Sequence, residues 1–139
     1  MTAGQREGKH RKSIKLLVKP SGSFNAHSFN HRCDLAARCA IEAVSNGFQW
    51  LSVEQIEKPA RSQKDAQFAR QIAIRIMAFD LQIEQRHIAR MQGRQRTSIH
   101  FALQTVEERM EEPVFAVVYE GMAANAQAAY ANKLERMAA

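Results

Sequence analysis

The chain is poor in cysteine, proline, aromatic residues and long apolar runs, and each shortage removes a class of protein. Two cysteines in 139 residues, Cys33 and Cys39, form no disulfide framework. Six positions apart on one predicted helix, they project to different sides of its axis and cannot bridge. Together with His27 and His31 they match no zinc-ligand spacing, so no metal is expected. No apolar run approaches the roughly 18 residues that cross a bilayer. Residues 14–18 are too short and too charged for the apolar region of a secretory signal, so a cytoplasmic protein with no membrane partner is expected. Aromatic residues make up 7% of the chain without basic–aromatic interleaving, which argues against single-stranded RNA as the target. His10, His27, His31, His87 and His100 are dispersed and suggest no nucleophile–base pair. Glu107, Glu108, Glu111 and Glu112 read as a solvated acidic face rather than a paired-carboxylate site. No enzyme and no cofactor are expected.

Acid is also scarce: 20 Lys and Arg face 14 Asp and Glu, a net charge of +6. The excess is concentrated. Residues 1–20 carry a net +5 and residues 58–96 a net +6, whereas residues 21–57 carry −2 and residues 97–139 carry −3. Basic charge gathered in two segments suits a polyanionic partner.

The pattern along the chain is helical, and the fold class expected is all-α: a compact multi-helix domain with a helix-turn-helix. Residues 1–31 read as a flexible basic arm, rich toward its end in Ser, Gly, Asn and His. Residues 32–112 read as the folded domain. Asp34 opens a helix in which Ala37, Ile41, Val44 and Phe48 share a face and Gly47 ends it. Ser52 and Gln55 have the spacing of a capping box, with Leu51 and Ile56 at the positions of a hydrophobic staple. Pro59 closes that short helix. A basic loop with Arg61, Ser62 and Lys64 leads into a helix over residues 65–79, with Ile72, Ile76 and Phe79 on one face. Ile83, Ile88 and Met91 mark the next helix, whose start at Glu84 and Gln85 has no good cap. Gly93 stops it, and another helix runs over residues 95–111 to Pro113. Residues 113–139 form an Ala-rich C-terminal helix that could pack on the domain, pair with a partner or fray.

The turn after Gly93 holds the most informative cluster. Arg94, Gln95, Arg96, Thr97 and Ser98 can all donate hydrogen bonds to base edges or phosphates, and they are followed by the apolar stripe Ile99, Ala102, Leu103, Val106 and Met110. A helix, a glycine turn and a second helix with a polar, basic first turn are the parts of a helix-turn-helix.

With those residues in place, residues 51–110 resemble the C-terminal DNA-binding domain of the bacterial replication initiator DnaA. The family's signature, near Gly-Gly-Arg-Asp-His-Thr-Thr-Val, aligns with Gln92-Gly93-Arg94-Gln95-Arg96-Thr97-Ser98-Ile99. Its basic loop ending in Arg-Gln and running into an alanine-containing helix aligns with Arg61 to Arg70-Gln71 and Ile72-Ala73. The family's Asp-His pair is replaced by Gln95-Arg96, its second Thr by Ser98, and an early Pro in the preceding helix by Arg86. No Gly-x-x-x-x-Gly-Lys-Ser/Thr phosphate loop occurs, so the resemblance implies the DNA-binding domain without the ATPase module.

The resemblance implies double-stranded DNA as partner. Gln95, Arg96, Thr97 and Ser98 would face bases and phosphates, with Gln95 suited to adenine and Arg96 to guanine. Arg70 and Gln71 would contact the backbone or a groove edge, and Arg61 and Lys64 a minor groove or its phosphates. Plainer roles compete: a cap on the turn for Arg94, local backbone bonds for Thr97 and Ser98, and a pair with Asp65 or Glu84 for Arg70; Phe101 is expected to pack against a neighbouring helix rather than stack on a base. The reading from a different class is a protein-interaction module, with a protein partner or self-association through the C-terminal helix and an acidic partner for the arm.

Overall fold

A computed structural model describes residues 24, 25 and 27–138. The basic part of the expected arm, through residue 23, lies outside the described residues, as does the short apolar run at residues 14–18. The structure is all-α, with six helices and, among the described residues, no strand.

Helix α1 spans Phe29–Gly47. It begins five residues ahead of Asp34, inside the stretch read as arm, because Ser28 has extended backbone and accepts the His31 amide at 3.3 Å as N-cap. Cys33, Ala36, Ala37, Cys39, Ala40, Ile41, Ala43 and Val44 are all buried, so α1 runs through the middle of the fold. A Cβ built on Gly47 would stand 2.7 Å from the Met122 sulfur, so glycine permits the close approach of the last turn to the C-terminal helix.

Helix α2, Val53–Glu57, carries the capping box read from its sequence. Ser52 Oγ accepts the Gln55 amide at 3.1 Å, and Gln55 Oε1 accepts the Ser52 amide at 2.8 Å. Leu51 and Ile56, at the staple positions, are buried.

Helix α3, Lys64–Arg75, continues as a π-helical turn over Ile76–Asp80. The Leu81 amide bonds to the Ile76 carbonyl at 2.9 Å, a reach of five residues. The wider turn changes the register, and this corrects one expectation. Ile72 and Ile76 are fully buried, but Phe79 is 52% exposed instead of sharing their face.

Helices α4 (Gln85–Gln92), α5 (Arg96–Arg109) and α6 (Pro113–Ala138) complete the fold. As expected, α4 starts without a side-chain cap. Pro113 opens α6 at the first helical position, where its missing N–H costs nothing.

Helix α6 packs on α1, and Tyr119, Met122, Ala123 and Ala126 join the same core as α1, α3 and α5. Of the possibilities the sequence left open, packing on the domain is shown for this face of α6. Polar bonds fasten α6 along its length. Tyr119 donates to Asp80 Oδ2 at 2.6 Å, Gln127 to the Asp80 carbonyl at 3.0 Å, and Lys133 pairs with Glu42 at 3.1 Å. Each fully buried Ile, Val or Met side chain of this core contributes about 1.5–3 kcal/mol.

Candidate nucleic-acid interface

Three segments converge on one face: the loop between α2 and α3, the first turns of α3, and the α4–turn–α5 unit. Three residues, Gly93, Arg94 and Gln95, join α4 to α5. Gly93 lies in the left-handed region at φ 64° and ψ 36°. There the Arg94 amide reaches the Ala89 carbonyl at 2.9 Å and the Gly93 amide reaches the Arg90 carbonyl at 3.2 Å. This paired closure satisfies the last carbonyls of α4 and turns Arg94 out to solvent.

The start of α5 is left open. Gln95, the N-cap, makes no side-chain capping bond, although its carbonyl accepts the Ser98 and Ile99 amides at 3.0 and 3.2 Å. The Arg96 and Thr97 amides find no acceptor among the described residues. The positive end of a 14-residue helix is therefore available to an anion.

Beside this helix start lies a cleft of about 400 Å³ between α3 and α5. Arg61, Arg70, Gln71, Arg94 and Ser98 all line it, and none of its lining residues is acidic. Of the nine residues singled out from sequence, these five meet at the cleft, and the other four do not. Lys64, Gln95 and Thr97 are exposed without lining it. Arg96 points to a different hollow, shared with Ala78, Ile83, Glu84 and Arg86.

Arg70 is only 8% exposed. Its Nε and Nη2 donate to Gln92 Oε1 at 3.1 and 2.6 Å, which ties α3 to the last residue of α4. The two acids proposed as its partners are engaged elsewhere: Asp65 accepts the Trp50 indole at 2.6 Å, and Glu84 pairs with Arg86 at 3.0 Å. No carboxylate pairs with Arg70 among the described residues. Burial, and then the neighbouring Arg94 charge, push its pKa down to about 10. Arg61 and Arg94 likewise have no ion pair among the described residues.

Phe101 corrects a further expectation. Rather than packing on a neighbouring helix, it is 63% exposed and lines the cleft. Its register explains this: Ile99, Ala102, Leu103 and Val106 define the buried side of α5, and Phe101 falls outside their i, i+3, i+4 spacing. That spacing was the signal that could have identified it. Gln92, the anchor of Arg70, carried no such signal, being 22 residues away in sequence.

Farther along the same two helices, Arg75 pairs with Glu107 at 2.8 Å, so part of the acidic run has a structural partner. Its guanidinium lies 4.5 Å from the Phe79 ring centroid and 4.8 Å from that of Tyr119. Burial is the largest single influence on the Arg75 charge and works against it, but Glu107 and Tyr119 together outweigh it and the pKa rises.

No family model, curated protein or solved structure matches this chain.

Proposed function

We propose that this chain binds double-stranded DNA through the α4–turn–α5 unit and the basic loop before α3, as a small bacterial regulator of transcription or replication acting in the cytoplasm. The observation that carries the reading is the convergence of Arg61, Arg94 and the uncapped start of α5 on one face whose cleft has no acidic lining. Guanidinium groups and free helix amides suit phosphates, and their neutralisation of phosphate charge makes binding steeply salt-dependent. Gln95, Arg96 and Thr97, all exposed at the helix start, are the candidates for base edges. No catalytic step, metal or cofactor forms part of this reading. The test is a duplex titration at several salt concentrations, with a randomised pool beside a DnaA-type site. A steep negative salt slope with an enriched sequence is the expected result. Absence of binding at low salt removes the proposal.

A second reading rests on α6. Val114 and Val117 are 78% and 72% exposed. With the exposed Gly121, Ala124 and Ala128 they continue a three–four spacing on the outer side of the helix. That spacing suits a second copy of α6 laid along the first. Sedimentation equilibrium on the chain and on Val117→Asp checks it: a monomer at every concentration in both proteins removes self-association.

A further inference from the structure

The volume and lining of the cleft go beyond what a duplex phosphate alone requires. We propose that the cleft between α3 and α5 binds a nucleotide, with its phosphate held by Arg61, Arg70 and Arg94 and its base stacked on Phe101.

The buried guanidinium is the first support. Arg70 is more than nine-tenths buried, lines the cleft, and among the described residues its guanidinium hydrogen-bonds only to the neutral amide of Gln92. Two of its N–H donors are committed there, and the remaining ones have no acceptor among the described residues. A buried charge without a direct ion-pair partner is unfavourable; Glu57 attracts it from beyond ion-pair distance, but repulsion from Arg94 is the larger effect. An anion in the cleft would supply the counter-charge and the acceptors together. Arg61 and Arg94 stand on the loop and the turn to complete a three-guanidinium cradle, suited to the three terminal oxygens of a phosphate monoester.

The shape of the cleft is the second support. At about 400 Å³ it falls in the range of small-molecule sites, beyond what a bare phosphate fills. Ile74 and Ala102 provide apolar lining, and the exposed Phe101 ring offers a stacking platform. The Gln71 side chain, on the α3 wall, makes no hydrogen bond among the described residues, so its carboxamide can meet a base edge. A charged head, a flat body and a polar edge are together the features of a nucleotide. The inference stands on the cleft and does not depend on duplex binding, but shared use of Arg61 and Arg94 makes the two ligands competitors.

The test is calorimetric titration of the full chain with each of the four nucleoside 5′-monophosphates, inorganic phosphate and adenosine. At least one nucleotide should saturate a single site about tenfold or more tighter than phosphate, with no binding of adenosine. Phe101→Ala, which alters an exposed ring, should bring that nucleotide down to the level of phosphate and leave phosphate itself unchanged. Arg94→Ser should weaken both by about tenfold or more. Tighter binding of a 5′-phosphorylated tetranucleotide would identify a strand end as the source, and equal binding a free nucleotide. Nucleotides that bind no better than phosphate, or that ignore Phe101→Ala, overturn the inference. Duplex titrations of the same proteins report separately. Duplex binding without nucleotide binding removes this inference alone, and the reverse removes only the duplex reading.

Discussion

Asp34 should make this protein less stable as pH rises from about 4 to about 6, and replacing it with Asn should remove that loss. The carboxyl lies on α1 in a residue 7% exposed, with no hydrogen bond or ion pair among the described residues. Burial raises its pKa from 3.8 to about 6. Below the lower value both folded and unfolded chains hold the proton, and the group costs nothing. Between the two values only the folded chain holds it, so stability falls with rising pH. Above the upper value the loss is complete. A rise of that size corresponds to about 3 kcal/mol at about 1.4 kcal/mol per pKa unit, an upper bound for a side chain whose edge reaches water. Asp34→Asn keeps the shape and removes the charge. Urea unfolding followed by helical circular dichroism, at pH 4 and pH 7.5, gives the stability of both proteins. The variant should gain about 1–3 kcal/mol relative to the parent on going from the lower to the higher pH. The unpartnered amide has its own cost, but it does not vary with pH, and all other titrating groups cancel in the comparison. Parallel pH profiles for the two proteins would refute the buried, unpaired carboxylate as the origin of the effect.

Other consequences can be checked directly. Arg96→Ala should cost about 1–3 kcal/mol on the enriched duplex and relax the preference at one base, whereas Lys64→Ala should weaken all duplexes alike, as competition binding against scrambled sites would show. Gly93→Ala places a Cβ in left-handed backbone and should destabilise the fold by about 1–2 kcal/mol, read by thermal unfolding. Tyr119→Phe removes the hydroxyl that donates to Asp80 at 2.6 Å and should cost about 1–2 kcal/mol in urea unfolding.

Much of the fold was legible because local chemistry dictated it. Ser52 with Gln55, Gly93 and Pro113 are helix punctuation whose physical effect is confined to a turn, so each was placed from neighbours alone. The buried stripe Ile99, Ala102, Leu103 and Val106 followed from helical spacing. What was missed depends on partners distant in sequence or on a change of period. Phe79 was assigned to the core by extending a 3.6-residue period through a turn that is π-helical. The packing of α6 was undetermined because alanine lines much of its circumference, which leaves little contrast between faces until α1 is in place. At the site, Arg61, Arg94 and Ser98 were named from sequence, but their convergence on a cleft arises only when the α2–α3 loop folds over α5. The exposure of Phe101 was readable, and its position at that cleft was not.

The pairing of the first described helix with the last also constrains how the chain is made. Emerging from a ribosome, α1 would present Cys39, Ile41 and Val44 well before Tyr119, Met122 and Ala126 exist to cover them. The Glu42–Lys133 bond, spanning 91 positions, can form only after Lys133 has been made. Contacts of such separation carry a large loop-closure cost and slow folding. Helices α2 to α5 can assemble earlier around α3, but α1 stays partly uncovered until α6 has been made. A nascent chain stopped before α6 would thus display a sticky, alanine-rich α1, a natural handle for chaperones that survey unfinished proteins.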